Sequence, residues 1–124
     1  MKYNKVTFIL VFMIVLFGCK TKNQTELEIG NGKDVIVTLE VTDKKHIEKI
    51  EFHSNGNMEM VTSKDLDHYN IIKYGFNGRG EGTYRVCVYT ISDTICRLDY
   101  VEGGYRPKLI CDATQIEFDN NSGY

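Results

Sequence analysis

The side chains that most readily do chemistry are thinly spread along this 124-residue chain, and their spacing decides what they can form. A nucleophilic serine needs a partnered histidine and acid, yet Ser54, Ser63, Ser92 and Ser122 stand in polar, turn-like stretches, and no G-x-S-x-G occurs. His46 and His53 are an odd number of residues apart, so a strand through both aims them at opposite faces. His68 stands apart from them, and no zinc-ligand spacing results. Asp65 and Asp67 in "KDLDH" offer oxygens to a hard cation, but the glycine and closing glutamate of a calcium loop are missing, and a solvated acidic turn accounts for them. "NGRGEG", residues 77–82, lacks the lysine and hydroxyl of a phosphate-binding loop and leads into a strand pattern. No catalytic residue, cofactor site or metal site is assigned. The expectation is a protein that is not an enzyme.

Of the four cysteines, Cys19 has the most informative surroundings. Lys2 and Lys5 open the chain, residues 6–17 are apolar apart from Thr7, and Gly18-Cys19 follows directly, the layout of a secretory signal peptide. An apolar run of about 12 residues makes roughly 18 Å of helix, short of the roughly 30 Å hydrocarbon core of a bilayer. "LFGCK" resembles the lipobox of bacterial lipoproteins. The resemblance implies cleavage before Cys19, a diacylglyceryl group on its sulfur and acylation of the new N-terminus. Several acyl chains, each methylene contributing about 0.8 kcal/mol, would hold the protein on a membrane. Lysine rather than aspartate after the cysteine implies, again by resemblance, an outer-membrane destination facing the periplasm. The expected organisation is a signal peptide over residues 1–18, lipidated cysteine and polar tether over 19–29, folding from near Glu26, and one domain over 30–124.

Cleavage removes two of the 15 basic side chains and none of the 17 acidic ones, leaving a formal charge of −4. Without a basic stripe, nucleic acid is not an expected partner. The roughly 105 remaining residues suit a single core. One proline against eleven glycines, with β-branched and aromatic residues in short runs, points to strands.

"VIVTLEVT", residues 35–42, sets Val35, Val37, Leu39 and Val41 on one face, the period-two signature of a half-buried strand. A second strand carries Ile50 and Phe52, and Asn55-Gly56 suits the positive φ of a tight hairpin before "NMEMVT" returns. "KDLDH" reads as a turn or loop, "YNIIKYGF" as a strand, "TYRVCVYT" and "TICRLDYV" as a hairpin, and "RPKLICD" and "TQIEFD" as further strands. Short strands at this spacing suggest a β-sandwich or barrel.

Together, "VTLEVTD", "IEKIEFHSNG" and "GTYRVCVYT" resemble bacterial immunoglobulin-like domains over roughly residues 30–101. Ile47, Ile50, Phe52, Asn55 and Gly56 match the I-x-x-V-x-F-x-x-N-G pattern, and Gly82-Thr83-Tyr84 is similar to a tyrosine corner. The implied fold is an all-β, immunoglobulin-like antiparallel β-sandwich with extra C-terminal strands. Val86 and Leu39 stand where the antibody-type cysteines belong and the chain has no tryptophan, so no inter-sheet disulfide of that type is expected. The residues after Val101 leave a small lipocalin-like barrel open as an alternative.

With Cys19 lipidated, Cys87, Cys96 and Cys111 remain in an oxidising compartment. A three-residue loop of Ile91, Ser92 and Asp93 pairs Tyr84 with Tyr100, Val86 with Leu98 and Val88 with Cys96 on a core face, and Arg85 with Asp99 opposite. That register places Cys87 away from Cys96 and makes Cys96 with Cys111 the expected bridge, if one forms. A four-residue loop would align Cys87 with Cys96 but break the apolar ladder. Asp93-Thr94-Ile95 resembles the D-[S/T]-hydrophobic acceptor of a general bacterial O-glycosylation system, which makes Thr94 a candidate modification site.

Tyr69, Tyr74, Tyr89 and Tyr105 fall outside the expected core face or have no clear facing. The expected role is protein binding or assembly with an envelope protein, met on a sheet face or at loops 77–82 and 103–105. An inhibitor or immunity-type protein with one protruding loop, and a glycan-binding module with coplanar tyrosines, are the alternatives.

Overall fold

The computed structural model describes residues 26–78 and 80–119. Among the described residues nine strands and one helical turn are formed: β1 (Glu26–Gly30), β2 (Val35–Val41), β3 (Ile47–Ser54), β4 (Asn57–Thr62), α1 (Ser63–Leu66), β5 (Ile71–Phe76), β6 (Glu81–Thr90), β7 (Thr94–Glu102), β8 (Lys108–Cys111) and β9 (Ile116–Phe118). They build a five-stranded sheet in the order β1-β5-β2-β8-β9 and a four-stranded sheet in the order β4-β3-β6-β7. The two sheets pack face to face, so the fold is an all-β sandwich.

The alternation in β2 sets the first layer of the core: Val35, Val37 and Leu39 are fully buried and Val41 nearly so. They face Ile72, Tyr74 and Phe76 of β5 on the same sheet and Ile50, Phe52, Tyr84, Val86 and Val88 of the opposite one. Tyr74, whose facing the sequence leaves open, is among the largest buried residues and packs at a tilt against Phe52 and Phe76. Its hydroxyl needs a partner at that depth and has one in the buried Ser54 hydroxyl.

Asn55 and Gly56 both take positive φ, 49° and 81°, and close the β3–β4 hairpin in two residues. The "KDLDH" stretch makes one helical turn rather than an open loop. Thr62 caps it, with its hydroxyl accepting from the Asp65 amide while the Asp65 carboxylate accepts from the Thr62 amide. Asp65 therefore caps a helix, and Asp67 is ion-paired with Lys44 at 3.2 Å.

From β2 to β7 the chain alternates between sheets in the order of strands B, C, C′, E, F and G of an immunoglobulin-type sandwich, with hairpins at β3–β4 and β6–β7. The flanks depart from that plan. β1 runs parallel to β5, and β8 runs parallel to β2 before β9 turns back upon it. β1 therefore lies within the stretch assigned to the tether, and ordered pairing is already present at Glu26, near which folding is expected to begin. Gly30 lets β1 pair there, at φ 100° with its Cα against the Gly75 carbonyl, where a Cβ would collide with backbone.

Candidate functional site

The register of the four-stranded sheet arranges its outward side chains in rows across the strands. Met58, His53, Arg85 and Leu98 form one row, Met60, Glu51, Cys87 and Cys96 the next, and Thr62, Lys49, Tyr89 and Thr94 a third. Tyr100 extends the face beside Thr83. The rims are apolar: Met58 and Met60 are 50% and 47% exposed on β4, and Leu98 and Tyr100 are 63% and 50% exposed on β7.

Two features make the middle of this face rigid. Glu51 accepts a hydrogen bond from the Tyr89 hydroxyl at 2.9 Å, and its oxygens lie 3.0 Å from His53 Nε2 and 3.2 Å from Lys49 Nζ. Burial alone would raise the Glu51 carboxyl, but the hydrogen bonds from His53, Tyr89 and Lys49 outweigh it and hold the group below the ordinary carboxylate value. Tyr89 is pushed up, chiefly because its proton is held by Glu51, and Lys49 lies over its ring at 4.6 Å. Beside this cluster a disulfide joins Cys87 to Cys96.

That bridge corrects the expected pairing of Cys96 with Cys111. The last ladder pair of the β6–β7 hairpin is Tyr89 with Thr94, with residues 90–93 between them, and within that turn the Thr90 amide donates to the Asp93 carbonyl at 2.8 Å and the Thr90 hydroxyl accepts from the Asp93 amide at 3.0 Å. The added residue shifts every pair by one, setting Cys87 opposite Cys96, Tyr84 opposite Asp99 and Arg85 opposite Leu98. Cys96, Leu98 and Tyr100 therefore point outward instead of into the core. Arg97 and Asp99 turn to the inner side, ion-paired at 2.7 Å. Arg97 lies over the Phe118 ring of β9 at 4.0 Å, and the Tyr84 hydroxyl donates to Asp99 at 3.2 Å. Cys111 is a free, buried thiol between the sheets, pushed up to about 12 by burial and then by the nearby Asp112.

Loops 77–82 and 103–105 meet at one end of the sandwich. The Gly78 amide donates to the Asp34 carboxylate at 2.9 Å, the Gly104 amide to the Asp34 carbonyl at 2.8 Å, and the Gly103 amide to the Gly80 carbonyl at 3.0 Å. These ties hold the Gly78, Gly103 and Gly104 amides within the chain. At the opposite end, His68 shares an open depression with Asp43, Lys44 and Asp67, and His46 does not line it. Among the described residues no three His, Cys, Asp or Glu side chains gather as a metal site.

Thr94 is exposed at the start of β7, in the row of Tyr89, with its amide donating to the Asp93 carboxylate at 2.8 Å. Cys19, the expected lipidation site, lies outside the described residues. The outward Met58, Met60, Leu98 and Tyr100 escape sequence reasoning for different reasons. The two methionines alternate with polar residues like any half-exposed strand, while Leu98 and Tyr100 are assigned to the core by a register one residue off. Compared with family models, with curated proteins and with solved structures, the chain matches none.

Proposed function

We propose that this protein is a non-catalytic cell-envelope lipoprotein, lipidated at Cys19 and facing the periplasm from the outer membrane, whose sandwich docks another envelope protein on the outer face of its four-stranded sheet. The observation that carries the reading is the grouping of Met58, Met60, Leu98 and Tyr100 on that one face. Single exposed apolar residues are ordinary, but four large ones share this outer face and, among the described residues, none lies on the other. The Glu51 cluster and the Cys87–Cys96 bridge keep the face ordered before binding, which lowers the entropic cost of association. The membrane part of the reading rests on the "LFGCK" sequence, and Cys19→Ser should release the protein from the membrane fraction. Retention of Cys19→Ser on the membrane would end it.

Photo-crosslinking amino acids placed at Met60 and Leu98, and for contrast at Thr38 and Ile110 on the other sheet, test the face in the protein's own envelope. Adducts from the first pair alone are expected. Adducts only from the second pair, or from neither, would remove the docking reading.

One observation favours an inhibitor-type protein as a second reading: Ile91 is 80% exposed at the tip of the β6–β7 hairpin. In that case Ile91→Asp abolishes partner binding and Leu98→Lys leaves it intact. Thr94 modification would set a glycan at the edge of the docking face, and loss of excess mass in Thr94→Ala checks it.

A further inference from the structure

Three basic side chains lie on the outer face of the four-stranded sheet, and two of them, Lys49 and His53, are engaged with Glu51. Arg85 differs. It is exposed, and among the described residues it has no hydrogen bond or ion pair. It lines an open depression of about 330 Å³ with His53, Asn57 and Thr83, walled by Met58 on one side and Leu98 on the other. That is the small end of the roughly 300–1,000 Å³ range of sites that enclose a drug-sized ligand, so it suits a protruding side chain better than a whole small molecule.

The neighbourhood narrows the chemistry. A guanidinium matches a carboxylate in a two-pronged arrangement, and the exposed Leu98 and Met58 in the same row favour apolar groups flanking that carboxylate. Strands lie about 4.8 Å apart, which puts Leu98 one spacing and Met58 two spacings from Arg85, roughly 4.8 and 9.6 Å. An extended segment crossing the strands places residues two positions apart about 6.7 Å from each other, within side-chain reach of both. The opposite outer face bears Glu26, Glu28, Glu40 and Glu117 against Lys73 and Lys108, and this face bears Glu51, Glu81 and Glu102 against Lys49 and Arg85, so what draws a carboxylate here is the local charge of Arg85.

We propose that Arg85 receives the carboxylate of an acidic-apolar protein segment of the form apolar-x-Asp/Glu-x-apolar, laid across the four-stranded sheet with its apolar residues on Leu98 and Met58. The inference deepens the docking reading above and rests on it.

The test titrates the full chain in detergent micelles with the labelled peptide Ser-Leu-Ser-Asp-Ser-Leu-Ser, blocked at both ends, and with versions carrying Asn or Lys for Asp. Saturable binding of the Asp peptide is expected, with amide shifts gathered at residues 53–58, 83–85 and 96–98. Binding should be at least tenfold weaker for the Asn and Lys peptides, at least tenfold weaker to Arg85→Gln, intermediate for Arg85→Lys, and unchanged for Lys73→Gln. A less than twofold loss in Arg85→Gln, equal binding of the Lys peptide, or no saturable binding at all would overturn the proposal. So would acetate or inorganic phosphate saturating the same amides as tightly as the peptide, since that marks general anion binding. Crosslinks from Leu98 in the envelope separate the two readings. Their persistence in Arg85→Gln at full yield sinks the carboxylate inference alone, and their absence in the parent chain sinks the docking face with it.

Discussion

The two outer faces of the sandwich differ in what their charges do. On the five-stranded sheet the charged side chains are spread among Glu26, Glu28, Glu40, Lys73, Lys108 and Glu117, with Lys73 paired to Glu26 at 3.3 Å, and Ile36, Ile71 and Ile110 between them are only partly exposed. That is a solvated face. On the four-stranded sheet Lys49 and His53 gather on Glu51 while Arg85 stands apart from them, and the large apolar groups lie on the two edge strands. The difference shows that the placement of charge, as well as apolar content, sets the two faces apart. Large exposed apolar side chains lie on one outer face, and the apolar side chains of the other are covered in part by the charged ones between them.

The comparison can be broken most severely at the edge of the charged face. Gly30→Ala adds a Cβ against the Gly75 carbonyl at a positive φ, and should cost about 3 kcal/mol or more in chemical denaturation. If the two sheets are as independent as their outer faces suggest, crosslinking from Leu98 survives wherever the variant remains folded. Gly56→Ala, which meets no neighbour, should cost less through its φ alone.

Next in size is the disulfide. Replacing Cys87 and Cys96 together by serine removes a link across nine residues and should lower stability by a little under about 3 kcal/mol. The same denaturation curves check it. Reduction of the parent chain should match the double variant, because Cys111 is buried away from the bridge.

A smaller effect is expected at the polar centre. Glu51 holds its proton less tightly in the folded chain than its ordinary value of 4.5, so the unfolded chain binds more protons as pH falls. Its contribution is therefore complete above about that value and is lost as pH drops through the lower folded one. Glu51→Gln should cost about 1 kcal/mol at neutral pH and flatten the acid limb of stability against pH. Asp112, also held low by hydrogen bonds from Thr114, supplies part of that limb and remains in the variant.

The smallest change in stability should come from the rims. Met60→Lys and Leu98→Lys replace exposed side chains and should move stability by no more than about 0.5 kcal/mol while abolishing partner crosslinks. Thr38→Lys on the charged face should leave both unchanged.

Much of the architecture is legible in the chain because period-two alternation is local. Val35, Val37, Leu39 and Val41 announce β2 and its buried face, and Asn55-Gly56 announces the β3–β4 turn. β1 is hidden, since "ELEIG" has too few apolar residues to distinguish a sheet edge from a tether. The β6–β7 register is misread because apolar residues on β7 are taken to mark its inner side. That rule fails for an edge strand, where the inner side chains Arg97 and Asp99 satisfy each other beside β9.

By itself, then, the sequence determined the all-β class, the central strands and the two hairpins, all of which depend on residues close together along the chain. Only the tertiary structure decided which cysteines are joined, which of Leu98 and Arg97 faces water, and which cation of the outer face is left unpaired. Those outcomes turn on a single residue of register and on a C-terminal strand that reaches back to the sandwich edge. Neither has a signature within the hairpin itself, because the energy that selects them comes from contacts between segments far apart in the chain.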